Sequence, residues 1–469
     1  MDATPTTSTR GSWNSKIGFI LAAAGSAVGL GNIWKFPFEV ADGGGGAFVL
    51  IYLVCCFLLC FPVMVTEIAI GRRAHKNAVG AFEALGFRNW RFVGLLGVTS
   101  GVLILSFYNV VAAWALGYFV ELAGGHFSIG SEFGTFITDV VKIGLYAALF
   151  MVMTAGIVSG GISSGIERAS KLLMPALLVI ILGLVLYGLT LPHAAEGLRF
   201  YLIPDFSEVT LEVVYNALGQ AFFSLSLGMG ALITYGSYLS KRENIIESAA
   251  LITLTDVGIA FTAGLLMFPL VAFLNAGDMT DVQGGAGLIF VTLPGAFESM
   301  GPGLGAFVGA TFFLLLSFAA LTSTVSLLEV PTSFVIDEFN VPRRRAAIGI
   351  AVLVFLIGIP SLLSNGASPF FTNFVTYFGS DTPNTFMDLV EHLSSDTFLP
   401  LGGFLIVVFA AYVWKTENLS EELAQGAPGF RGSALERFIH VCVAYVCPVL
   451  LGIIFVLTVL NRFFGVSVF

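Results

Sequence analysis

Long apolar runs, separated by short polar stretches rich in glycine and proline, account for most of the chain. A hydrocarbon core of about 30 Å needs roughly 20 apolar residues per helix. Eleven runs meet that length, near 17–39, 47–70, 93–122, 141–160, 165–190, 211–239, 244–274, 303–336, 345–363, 386–414 and 435–463. Each is continuous and lacks the ten-residue alternation of an outer-membrane barrel, so a β-barrel is excluded. The pattern predicts an all-α integral membrane protein with 11 transmembrane helices.

Composition agrees. Of the 469 residues, 57% are apolar and 11% charged, against about 25% charged in a soluble fold. A net charge of −9 argues against a nucleic-acid partner. Cys55, Cys56, Cys60, Cys442 and Cys447 lie inside apolar runs without metal-type spacing. The five histidines sit mostly in loops or at span ends, so no His/Cys metal set for an intramembrane enzyme is formed. The first 16 residues are polar, without a signal-peptide pattern.

Seventeen of the 21 lysines and arginines fall on one side of the membrane if the N-terminus is inside, and three on the other. The positive-inside bias then predicts a multi-pass cell-membrane protein with a cytoplasmic N-terminus and an extracytoplasmic C-terminus.

Two spans carry a Gly-x-Gly at mid-membrane depth: Gly29-Leu30-Gly31 in the first and Gly228-Met229-Gly230 in the sixth. Glycine in a helix interior costs about 1 kcal/mol relative to alanine, so both ladders are weakened. Main chain freed from a helix inside a bilayer must line a cavity or be buried in protein. Interrupted spans in matching places of two halves point to a midplane transport site; the same spacing also serves close helix packing. Oxygen-bearing residues stand in these and other apolar spans: Asn32, Ser224, Asp256, Thr322 and Ser323. Asp256, in TLTDVGIAF, has no basic neighbour in sequence. A carboxylate at that depth usually marks an ion pathway, and oxygen donors suit a hard cation.

The stretches GSAVGLGNIWKFP (25–37), GGGAF (44–48), SSGIERASKLLMP (163–175), GQAFFSLSLGMGALITYGSY (219–238) and AALTSTVSLLEVP (319–331) resemble the neurotransmitter:sodium symporter family, in its prokaryotic amino-acid branch. The resemblance implies a 5+5 inverted-repeat fold with unwound helices 1 and 6. Residues 1–16 would be a cytoplasmic segment, 17–190 the first five-helix repeat, 211–414 the second, and 435–463 an appended helix 11.

It further implies two sodium sites. The first would use the Ala27 carbonyl, Asn32, Ser224, Asp256 and the substrate carboxylate, with Thr255 an alternative to Asp256. The second would use carbonyls of Gly25, Val28 and Ala319 with the hydroxyls of Thr322 and Ser323. Ala260 stands where chloride-dependent relatives have a serine, and Asp256 where many have asparagine, so no chloride is expected.

For the substrate, the half-helix starting near Leu30 and Gly31 offers free N–H groups and a positive dipole end to a carboxylate, helped by the Tyr108 hydroxyl. Aminergic relatives have aspartate at the position of Gly29; glycine there implies a substrate with its own carboxylate. The ammonium would meet carbonyls of Ala27, Phe223 and Ser226. Ile104, Tyr108, Phe223, Met229, Ser323 and Leu327 would line a pocket unable to neutralise a charged side chain. Met229 is flexible and polarizable. The expected substrate is a neutral, hydrophobic or aromatic L-amino acid. Lys35 and Glu391 would gate the outer side. Arg10, Trp13, Tyr238 and Asp337 would gate the inner side.

The expected function is sodium-coupled symport by alternating access, not catalysis. A proton-coupled or exchanging carrier of the same architecture, or a non-transporting amino-acid sensor, are the alternatives.

Overall fold

The computed structural model describes residues 11–279, 287–378 and 382–466. Among these residues there are no strands; two isolated bridges, Gly45 with Pro204 and Val375 with Asn384, are the only extended pairings. Thirteen helical pieces carry the architecture. They are α1 (Lys16–Ala27), α2 (Gly31–Asp42), α3 (Gly46–Ala74), α4 (Arg88–Ala123), α5 (Val140–Ser159) and α6 (Ile162–Gly188), then α7 (Leu211–Ser224) and α8 (Ala231–Gly236). The rest are α9 (Ile245–Leu274), α10 (Pro302–Phe339), α11 (Arg343–Leu363), α12 (Phe386–Val413) and α13 (Ala434–Phe464).

Nine of these helices are long and apolar enough to cross a membrane by themselves, and the bent pair α1–α2 makes a tenth crossing. The remaining expected span, 211–239, is divided into α7 and α8, each too short alone. An interruption in this span is expected from sequence at Gly228-Met229-Gly230, and the division falls there. The backbone leaves the helix between Ser224 and Ala231, where Ser226, Gly228 and Gly230 take positive φ of 53°, 84° and 76°. Only glycine adopts such angles at low cost. Gly228 also has no space for a side chain, because a Cβ would stand 2.2 Å from the Leu399 carbonyl oxygen.

The helix starts follow capping chemistry. Ser15, Thr210, Asn244 and Ser433 each accept a backbone N–H of the following first turn, satisfying donors that have no intrahelical partner. α4 and α10 pack along each other in the centre of the bundle, where 72% of the apolar window of α4 is buried. In α5 and α13 only 28% is buried, so these helices present most of their apolar surface outward, to lipid.

Candidate functional site

The two breaks face each other across the core. α1 ends at Ala27, Val28 is extended, and the helix resumes at Gly31 after a bend of 54°. Ser226, in the other break, donates its hydroxyl to the Ser26 carbonyl at 3.0 Å, which ties the two together. Ser26 in turn donates to Ser326 of α10 at 2.7 Å.

Around these breaks the structure gathers two sets of oxygens. In the first, the Asn32 amide donates to Asp256 Oδ1 at 2.7 Å and to Ser224 Oγ at 3.0 Å. The Ser224 hydroxyl donates to Asp256 Oδ2 at 2.9 Å. Asp256 is fully buried, and among the described residues no lysine, arginine or histidine pairs with it. Thr255, its sequence alternative, is exposed and bonds back to the Leu251 carbonyl at 2.7 Å. Helix geometry turns adjacent residues about 100° apart, and that rotation separates the two candidates. Tyr52, which sequence analysis missed, points its hydroxyl at the same group, 3.3 Å from Ser224 Oγ and 3.5 Å from Asp256 Oδ2.

In the second set, the Thr322 hydroxyl lies 2.9 Å from the Ala319 carbonyl and 3.4 Å from the Val28 carbonyl. Ser323 Oγ lies 3.3 Å from that same Val28 carbonyl. Gly25 packs against this corner, a Cβ there reaching 3.1 Å from Thr322 Cβ. Every donor in both sets is oxygen, except the Asn32 amide nitrogen. Among the described residues no group of three His, Cys, Asp or Glu side chains stands together, and oxygen groups of this kind suit a hard cation.

Between the oxygen sets and the breaks lies a narrow cavity of about 40 Å³. Ala27, Gly31, Ile104, Tyr108, Phe223, Ser226, Met229, Ser323 and Leu327 line it, as expected from sequence, together with Gly29, Ser224 and Leu399. Leu30 does not line this cavity; its N–H donates to the Tyr108 hydroxyl at 2.9 Å, and its side chain borders the space above. Gly29 is in close contact: a Cβ would stand 2.5 Å from Ser323 Oγ and 2.8 Å from the Tyr108 oxygen. The walls are apolar apart from hydroxyls and main chain.

A second cavity of about 200 Å³ lies beyond Phe223 and Tyr108, and both residues border the two spaces. Lys35 and Glu391 line this outer cavity, but they form no ion pair. The Lys35 ammonium sits 4.7 Å from the centre of the Phe223 ring instead. A cation–π contact is available to a compact ammonium that lacks the planar fork for a bidentate carboxylate pair. An ion pair on this side joins Asp396 of α12 to Arg462 of α13 at 3.1 Å. Sequence reading assigned neither residue.

At the opposite end Trp13 donates its indole N–H to the Tyr235 carbonyl at 3.0 Å and packs edge-on against Phe19, Tyr235 and Tyr238. Arg10 lies outside the described residues. Asp337 accepts the Asn77 backbone N–H at 2.8 Å and its side-chain amide at 3.1 Å. Tyr238 donates to Glu329 at 2.9 Å, and Glu329 pairs with Arg343. The segment before α1 is further fastened by Glu167, which accepts the Asn14 N–H at 2.8 Å, the Ser15 hydroxyl at 2.9 Å and the Lys171 ammonium at 2.6 Å.

Two buried carboxylates escaped sequence analysis although they meet the criterion that singled out Asp256. Glu67, in α3, accepts the Gly228 N–H at 2.7 Å and thereby holds the second break open from behind. Glu329, in α10, anchors Tyr238. Each is an acidic residue in an apolar run.

Comparison with known proteins places this geometry. The model of the sodium:neurotransmitter symporter family matches residues 10–128 and 131–464. The sodium-dependent transporter YhdH of Bacillus subtilis is 38% identical over 422 residues, covering 88% of this chain and 90% of that protein. A sodium-dependent transporter of Haemophilus influenzae is 32% identical over 97% of this chain and 98% of its own length. The crystal structure of MhsT in complex with L-phenylalanine superposes with a TM-score of 0.85 at 41% identity, over 95% of this chain and 99% of that one. An all-helical membrane protein with two broken helices facing buried oxygens, matched along nearly its whole length, belongs to the sodium:neurotransmitter symporter family and is a sodium-dependent transporter rather than an enzyme.

Proposed function

We propose that the protein is a chloride-independent symporter that couples two sodium ions to the uptake of a neutral, hydrophobic or aromatic L-amino acid. The observation that carries this reading is the Asn32–Ser224–Asp256 cluster, a buried carboxylate with hard-oxygen neighbours and no protein cation, set beside the first break. A sodium ion there, with the Ala27 carbonyl and the substrate carboxylate, completes the charge balance. The fixed charge of Asp256 replaces the anion that chloride supplies in other members. A second ion takes the carbonyls of Gly25, Val28 and Ala319 with the hydroxyls of Thr322 and Ser323.

The substrate carboxylate meets the N–H groups at Leu30 and Gly31 and the Tyr108 hydroxyl. The ammonium meets main-chain carbonyls of Ala27, Phe223 and Ser226. The apolar lining supports a neutral side chain, and the L-phenylalanine bound by MhsT fits that chemistry. Phe223 and Tyr108 form the lid, with Lys35 and Glu391 above it. Trp13, Tyr238 and Asp337 close the inner path. The N-terminus is placed in the cytoplasm, and residues 17–190 and 211–414 form the two repeats that rock around the site.

One ion moving through about 100 mV contributes roughly 2.3 kcal/mol, and a tenfold gradient adds about 1.4 kcal/mol. Two ions supply about 7 kcal/mol, a ceiling near 10⁵-fold accumulation. Uptake by proteoliposomes tests the proposal. Accumulation of L-phenylalanine or a similar amino acid is expected with an inward sodium gradient, unchanged when gluconate replaces chloride. Uptake that follows a pH gradient and ignores sodium overturns it.

A further inference from the structure

α5 and α11 stand side by side at the periphery, with 28% and 39% of their apolar windows buried. Between them runs an outward-facing groove of about 580 Å³. Its walls are Ala148, Val152 and Gly156 on α5 and Ile348, Val352 and Phe355 on α11. Gly156 is where the helix ridge is missing, since a Cβ there would meet no heavy atom within 4 Å. From Ala148 to Ser159, and from Arg344 to Phe355, the helical rise is about 16 Å. That is about half of a 30 Å hydrocarbon core, the depth of one leaflet.

One end of this apolar groove is polar. Ser159 Oγ is buried without a hydrogen-bond partner, and the exposed Arg344 borders the same end. Arg343 beside it is committed to Glu329 and the Val158 carbonyl. Arg344 and Arg345 form no ion pair among the described residues. A leaflet-long apolar trough that ends in an unpaired guanidinium and an orphaned hydroxyl is complementary to one amphiphile: a long hydrocarbon tail under an anionic phosphodiester. A headgroup with its own ammonium offsets part of that attraction. A second copy of the chain is disfavoured, because a two-fold contact is self-complementary and sets each patch against itself. Across this groove it brings together the Arg344–Arg345 pairs of both copies.

We propose that the α5–α11 groove is a specific site for an anionic phospholipid, one acyl chain between the helices and the phosphate accepting hydrogen bonds from Arg344 and the Ser159 hydroxyl. The test is native mass spectrometry of the purified full-length protein, in mild detergent, with added phosphatidylglycerol or phosphatidylcholine. One phosphatidylglycerol is expected to stay bound in preference to phosphatidylcholine. Arg344→Ala lowers that retention about tenfold, the loss of a hydrogen-bonded charge, and Arg344→Lys restores part of it. Gly156→Leu, at a position where an added Cβ meets no heavy atom within 4 Å, fills the groove and removes retention of either lipid. All three variants are expected to keep the parent melting temperature. Equal retention of the two lipids, or full retention by Arg344→Ala or Gly156→Leu, overturns the proposal. So does a dimer in the parent that Gly156→Leu dissolves, which makes a second copy the occupant.

Discussion

Replacing Asp256 by asparagine removes one charge from the first oxygen cluster and changes little else. Asn32 donates to Oδ1 at 2.7 Å and Ser224 to Oδ2 at 2.9 Å. An amide in the same place keeps its oxygen for Asn32 and turns its NH₂ to Ser224, whose hydroxyl can accept as readily as donate. The fold therefore survives, and the loss is electrostatic. Two unit charges about 4 Å apart interact by about 4 kcal/mol at an effective dielectric constant near 20. The amide carbonyl dipole retains some of this, taken here as about half, leaving a deficit of about 2 kcal/mol, or about 30-fold in sodium affinity. The assay is binding of labelled amino acid to the purified protein, titrated with sodium at constant ionic strength with choline as the replacement. For Asp256→Asn the sodium midpoint is expected to rise about 30-fold, with the protein still melting cooperatively. A midpoint within about threefold of the parent refutes the assignment of Asp256 as an ion ligand.

Tyr108→Phe removes a hydroxyl that bonds Leu30 and faces the cavity; the Kd for amino acid is expected to rise about 10-fold or more, the range for a hydrogen bond to a charged group, with a loss of about 1–3 kcal/mol of stability from the unpaired Leu30 N–H. Thr322→Val is close to isosteric and deletes one oxygen beside the Val28 carbonyl, so the sodium dependence of binding weakens several-fold while the selectivity among amino acids stays as it is. Stability should respond most to Glu422→Gln. Arg72 and Glu422 are fully buried and paired at 2.6 Å, and leaving Arg72 uncompensated costs about 3–5 kcal/mol, read as a clear fall in melting temperature.

Chain pattern singled out the candidate site where local chemistry conflicts with the membrane. Glycines at mid-depth, a carboxylate in TLTDVGIAF and the Thr322–Ser323 pair are each costly in an apolar helix, so they stood out before any contact was known. The same conflict marks Glu67 and Glu329, whose partners are the Gly228 N–H and Tyr238. Other features have no local signature. Leu399 reaches the cavity only because α12 packs against the second break, where Gly228 meets its carbonyl. Arg72 and Arg343 counted as topological charges in sequence, yet both lie in ion pairs with acids distant in the chain or across a turn. The outer ion pair likewise depends on where α13 ends, which places Arg462 on Asp396 and leaves Lys35 to the Phe223 ring.

Calorimetric binding of L-phenylalanine to the purified transporter, run once in sodium chloride and once in choline chloride, asks whether the broken helices hold ion and amino acid as one unit. Heat of binding in the first buffer and none in the second is the expected result. Equal affinity in both buffers contradicts the shared site.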